Sequence, residues 1–182
     1  MPELNLELHR VTSEYIQIED RFRLTGEGQD GSALCLWLTQ RLALRVVSHL
    51  VTDIATRSSE AIQNPSQDDD ANKLLQGNAQ QAAKADLSPQ EAVASTSATR
   101  AMLIQEVDMN RAPDGAVGFV FKDGSKPAAQ KIALAFQPQQ LRQWLIILYS
   151  QWLLAEWPVT VWPEWITGQQ AAQASENNNP VH

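Results

Sequence analysis

The chain is poor in the residues that most often betray a chemistry. It has one cysteine, Cys35, in 182 residues, so no disulfide can form within it. That fits a reducing cytoplasm, which is the expected location. Cys35 itself reads as a small, half-buried apolar side chain. No apolar run approaches the roughly 20 residues that a spanning helix needs. The longest, Leu145–Ala155, is broken by Ser150 and Gln151, and no membrane helix is expected. The opening MPELNLELHR has neither the basic leader nor the apolar block of a secretory signal. The three histidines, His9, His49 and His182, form no pair at metal-ligand spacing, so neither a metal nor a cofactor is expected. GEGQDG (residues 26–31) lacks the lysine and the following helix of a phosphate loop, and no nucleophile elbow is present. A basic surplus is missing as well. The formal charge is -7, against the cationic footprint of a nucleic-acid binder.

What the chain does have is period. Leu4, Leu6 and Leu8 alternate with polar residues, as on a half-buried strand, and Ile16, Ile18, Phe22 and Leu24 continue in step. Asp20 interrupts that face, which predicts a bend or bulge near Glu19–Asp20. The glycines of 26–31 predict a hairpin connection. Leu34, Leu36 and Leu38 then alternate inward, and Thr39 can cap a helix whose apolar arc runs through Leu42, Ala43, Leu44, Val46, Val47, Leu50, Val51 and Ile54.

The same order returns later. Met102–Met109 reads as a strand, RAPDG (111–115) as a turn, and Val117, Phe119 and Phe121 as an inward alternation ending at Lys122-Asp123-Gly124. Ile132, Leu134 and Phe136 make the next strand, and Pro138 suits the first position of a helix. A shift of 98 residues lays Leu36 on Leu134, Leu38 on Phe136, Val47 on Leu145, Leu50 on Leu148 and Ile54 on Trp152. The expectation is an α+β protein made of two β-meander-plus-helix repeats packed together: a first unit over 1–57 and a second over 99–167.

Between them, 58–98 is rich in Gln, Ala, Ser and Asp and holds no aromatic residue. Such a composition buries too little apolar area to offset chain entropy, so a flexible, disordered insertion is expected. Within it, a short helix could begin at Ser88, before Pro89. The tail, 168–182, is expected to be disordered.

Three surfaces stand out. The second helix is apolar almost all round, with Trp144, Ile147 and Trp152 among its residues. It is either buried on several sides or meets a partner. The outward strand positions are small or apolar: Ala33, Cys35 and Trp37 in the first half, Ala116, Gly118, Val120, Ala133 and Ala135 in the second. Another layer covers them, or they associate. EWPVTVWPEWITG carries Trp157, Trp162 and Trp165, whose prolines forbid one continuous helix. It reads first as a strap closing the core, with an extended piece at 159–161, and second as a partner-binding segment. Trp37, Trp144, Ile147, Trp152, Trp157, Trp162 and Trp165 are therefore the interface candidates. Arg21 and Arg23 share a strand face, and Arg41 and Arg45 lie one helical turn apart; these four are the anion or nucleic-acid candidates. Glu106 and Asp108 could pair as acid and base, but a solvated strand face is the better reading.

The stretch DRFRLTG (20–26) with LWLTQRLALRVV (36–47) resembles a pattern in uncharacterised bacterial proteins, which implies no function. In outline, strands then helix twice over is similar to whirly-type single-stranded-DNA binders, although a basic sheet face is absent here. Likeness of fold does not transfer function. The functional expectation is a non-enzymatic interaction or assembly module, homodimeric or bound to another protein. The alternatives are a weak single-stranded nucleic-acid binder and an enzyme with a site assembled between the two units.

Overall fold

The computed structural model describes residues 4–61, 68–96, 98–126 and 130–168. Their order is β1 (Leu4–Ile16), β2 (Arg21–Gly28), β3 (Ala33–Thr39), α1 (Gln40–Ala61), α2 (Asp68–Ala85), β4 (Arg100–Leu103), β5 (Glu106–Arg111), β6 (Val117–Lys122), β7 (Gln130–Phe136) and α3 (Pro138–Leu154). The class is α+β, as the alternation followed by helical period implies. The seven strands form one curled sheet in the order β4-β3-β2-β1-β7-β6-β5.

The curl follows from two strands that change partners. β1 pairs in parallel with β7 over Leu4–Leu8, then antiparallel with β2 as far as Ile16. The register slips between Leu8 and Arg10, so Leu8 and Val11 both turn inward. Gly26 makes room at this crossing: a Cβ there would lie 2.3 Å from a methyl carbon of Leu8. Residues 100–111 repeat the manoeuvre. β4 pairs in parallel with β3, and β5 pairs antiparallel with β6. Only Ile104 and Gln105 separate the two strands. The Ile104 N–H donates to Trp37 O at 2.9 Å and the Gln105 N–H to Lys122 O at 3.0 Å. The two ends of the sheet are thus joined by continuous chain, where the sequence suggests one uninterrupted strand.

Inward residues of both halves share one core with α1 and α3. Phe22, Leu24, Leu36, Phe119, Phe121 and Ile132 come from the sheet; Val47, Leu50, Leu141 and Leu145 come from the helices. Thr39 caps α1, its Oγ1 accepting from the Leu42 N–H at 3.3 Å. Gln140 accepts from the Gln137 N–H at 2.9 Å to close the start of α3, where Pro138 stands first, as expected.

Several expectations are corrected. Residues 68–85, expected to lie in a flexible insertion, form α2, which packs on α3. Its buried side chains are chiefly polar or small: Gln76, Gln80 and Ala83. Hydrogen bonds hold it where apolar area cannot. Gln80 Nε2 donates to Arg142 O at 2.9 Å, and Gln143 Nε2 donates to Ala83 O at 3.1 Å. No helix begins at Ser88; 87–96 run without regular structure. Ile18 does not continue the strand but sits in the 17–20 turn, 92% exposed, beside Asp20 at φ 48°. Leu44 faces outward from α1. Residues 159–161 form a turn, not an extended piece, with the Trp162 N–H donating to Val159 O at 3.0 Å. Residues 58–61, expected to open the insertion, continue α1, while 62–67 and 97 of the insertion and 169–182 of the tail lie outside the described residues.

Candidate functional site

The tryptophans resolve into core and rim. Trp152 is fully buried and meets Phe22, Trp157 and Trp162 edge-on, at centroid distances of 5.8, 5.1 and 5.4 Å. Its Nε1 donates to Pro158 O at 3.1 Å. Trp144 is buried, with Nε1 donating to Ser13 Oγ at 2.9 Å. Trp157 is buried, and its Nε1 donates to Asp20 Oδ1 at 3.2 Å. Trp162 is buried too. These four of the seven interface candidates are thus spent inside the chain, because the Trp/Pro segment folds back over α3 as a strap. Trp37, Ile147 and Trp165 are half-buried. α3 therefore has less spare apolar surface than its sequence suggests, since α2 and the strap cover it.

The outward faces of the sheet differ between the halves. On β1–β2–β3 the chain returns across its own strands. Arg10 Nη1 donates to Glu91 O at 3.1 Å, and the Val93 N–H donates to Thr12 Oγ1 at 2.9 Å. Val93 is buried, and so are Thr25 and Cys35, the next outward residues along the ladder from Thr12. On β5–β6–β7, Gly118, Val120 and Ala133 stay half-exposed and Ala135 is exposed. Polar residues of both signs border them: Lys122 bonds Glu106 at 3.0 Å and also pairs with Asp108. Those partners hold the lysine above its ordinary pKa. Glu106 and Asp108 are both exposed, which matches a solvated strand face.

The four candidate arginines are not brought to one site. Arg23 is committed to Glu14 at 2.8 Å and lies over the Trp37 ring at 5.9 Å. Arg21 stands opposite Thr39 in the ladder. Arg41 and Arg45 are exposed and line an open depression of about 440 Å³ with Leu103 and Gln105.

A different arginine cluster occupies a cleft where the end of α1 meets β5 and the start of α3. Its larger lobe, about 210 Å³, is lined by His49, Asp53, Arg57, Met109 and Arg111 among others. The adjoining lobe, about 130 Å³, shares Arg57 and Arg111 and adds Pro138, Leu141 and Arg142. Asp53 receives both Arg57, at 3.1 Å, and Arg111. Burial alone would push the Asp53 carboxyl up. Hydrogen bonds from Arg111 and Arg57 outweigh it and hold the group below the usual carboxylate range. Arg111 also donates to Gly115 O at 3.1 Å, while its buried Nε has no partner among the described residues. Arg142 bonds two neutral amides, Gln76 and Gln80, and lies over the Trp165 ring at 5.5 Å. Burial pushes its pKa down.

The sequence reads Arg111 as the start of a turn and His49 as one of three unpaired histidines, with nothing to join the two. Asp53 and Arg57, four apart on a polar helix face, were the available signal; their third partner lies 58 positions from Asp53. Among the described residues no group of three or more His, Cys, Asp or Glu could hold a metal ion, and no helix is long and apolar enough to cross a membrane. Comparison with family models, curated proteins and solved structures gives no match for this chain.

Proposed function

We propose that the chain is a non-enzymatic assembly module that pairs with a second copy of itself through the outer face of β5–β6–β7. One observation carries this reading. The equivalent face of β1–β2–β3 is covered by the chain's own 87–96 segment, whereas Gly118, Val120, Ala133 and Ala135 have no such cover among the described residues. Small side chains let two sheets approach to the roughly 10 Å of face-to-face packing. The bordering Glu106, Asp108 and Lys122 supply both signs of charge, so a two-fold arrangement can match the face to itself. The same reading takes the halves as descendants of one strand-strand-strand-helix unit. Its support is the partner change made by both β1 and the 100–111 stretch.

Light scattering after size exclusion tests the proposal. The wild-type chain is expected at twice its 20.2 kDa mass, and Ala135→Arg at the monomer mass with unchanged circular dichroism. A wild-type monomer at every concentration overturns the reading.

A further inference from the structure

We infer that the cleft between α1, β5 and the start of α3 is a binding site for a small molecule with a phosphate or carboxylate head and a compact apolar body. Three guanidinium groups line it, from Arg57, Arg111 and Arg142, against one carboxylate, Asp53. Arg111 is mostly buried and Arg57 is 52% exposed, and the three guanidinium groups outnumber the one carboxylate. The donors are also incompletely used. Arg57 bonds Asp53 through Nε alone, leaving its two terminal nitrogens without a partner among the described residues. Arg111, with its side chain 16% exposed, keeps a buried Nε that has no partner among the described residues. The terminal nitrogens of Arg57, whose side chain is 52% exposed, are the donors open to a ligand. Planar guanidinium forks suit the paired oxygens of phosphate or carboxylate.

The walls define the rest of the ligand. Leu50, Met109 and Val117 border the larger lobe; Ile54, Pro138 and Leu141 border the smaller. His49 and Asn110 add neutral polar groups to the larger lobe, so apolar and polar walls stand side by side. The volumes, about 210 and 130 Å³, admit a ring-sized body. Asp53 acts as the internal counter-ion that a ligand must displace from the two arginines.

That last point gives the site a test with effects of opposite sign. Phenyl phosphate is titrated into the full chain by calorimetry at constant ionic strength, with inorganic phosphate as the head group alone. Saturable one-to-one binding is expected, tighter for phenyl phosphate. Arg57→Gln, at a half-exposed position, weakens it by about tenfold, the loss expected for one charge-assisted contact. Asp53→Asn removes the competitor and tightens it by roughly threefold or more, within the range of a charged hydrogen bond. Circular dichroism confirms that both variants fold. No saturable heat with wild type, or equal affinity in all three proteins, overturns the inference. Oligomeric state is read separately, so failure here leaves the sheet-face proposal standing, and the converse holds.

Discussion

Where β1, β2 and β3 turn outward, residues 87–96 lie back across them; where β5, β6 and β7 turn outward, no described segment follows. Both faces include small, weakly apolar residues: Cys35, Thr25 and Ala33 on one, Gly118, Val120 and Ala133 on the other. In the first case the small side chains make way for the chain's own backbone, stitched by Thr12 and Arg10. The lesson is that a modest outer face marks something that lies close to a sheet without naming it. Here the cover is a plain loop with one buried valine.

The comparison can be broken from below, at the core that both faces share. Trp152→Ala removes the ring against which Phe22, Trp157 and Trp162 stand. A loss of about 3–5 kcal/mol is expected in denaturant unfolding, with both faces disordered together. A smaller loss confined to the strap would separate strap from sheet. The next largest effect is at the cover. Val93→Asp places a charge against Thr12 and should cost about 2–3 kcal/mol. It should also expose Cys35, now 5% accessible, to a thiol reagent such as DTNB. A thiol that reacts equally fast in wild type and variant would show that 87–96 does not shield this face. On the bare side, Ala135→Arg should change folding stability by less than about 0.5 kcal/mol, since the position is exposed. Its effect is reserved for self-association. A large stability loss in the isolated monomer would mean that the face is not bare.

The smallest effect concerns the tie between the halves. Asp53 joins α1 of the first half to Arg111 of the second. Its folded pKa is depressed, so the stabilisation is present above the unfolded value of 3.8 and is lost as pH falls through the lower folded value. Asp53→Asn should flatten that acid limb of the unfolding curve and leave neutral stability little changed. An unaltered acid limb would show that the tie contributes nothing measurable.

These contrasts also explain what could be read in the residues. Strands with one buried face declare themselves, because a twofold period survives any surroundings; Val117, Phe119 and Phe121 are all inward. α2 was illegible by the same logic, since its anchors are Gln76, Gln80 and Ala83 and it has little apolar period. Its Ala, Gln and Lys content is a propensity signal, which weighs less than burial until a neighbour is known. α3 misled in the opposite sense. Its encircling apolar residues needed cover, and α2 and the strap supply it from parts of the chain that composition could not place beside it. The arginine cleft was hidden because Asp53 and Arg111 meet only through tertiary folding.

The parallel pairing of Leu4 with Gln130 has a consequence for synthesis. A ribosome releases the first strand long before its neighbour exists, so the amino-terminal edge of β1 waits, unpaired, until more than a hundred further residues have emerged. Long-range closures of this kind are slow and leave strand edges open to other chains. The nascent protein should therefore be most dependent on chaperones during the interval between completing β3 and delivering β7.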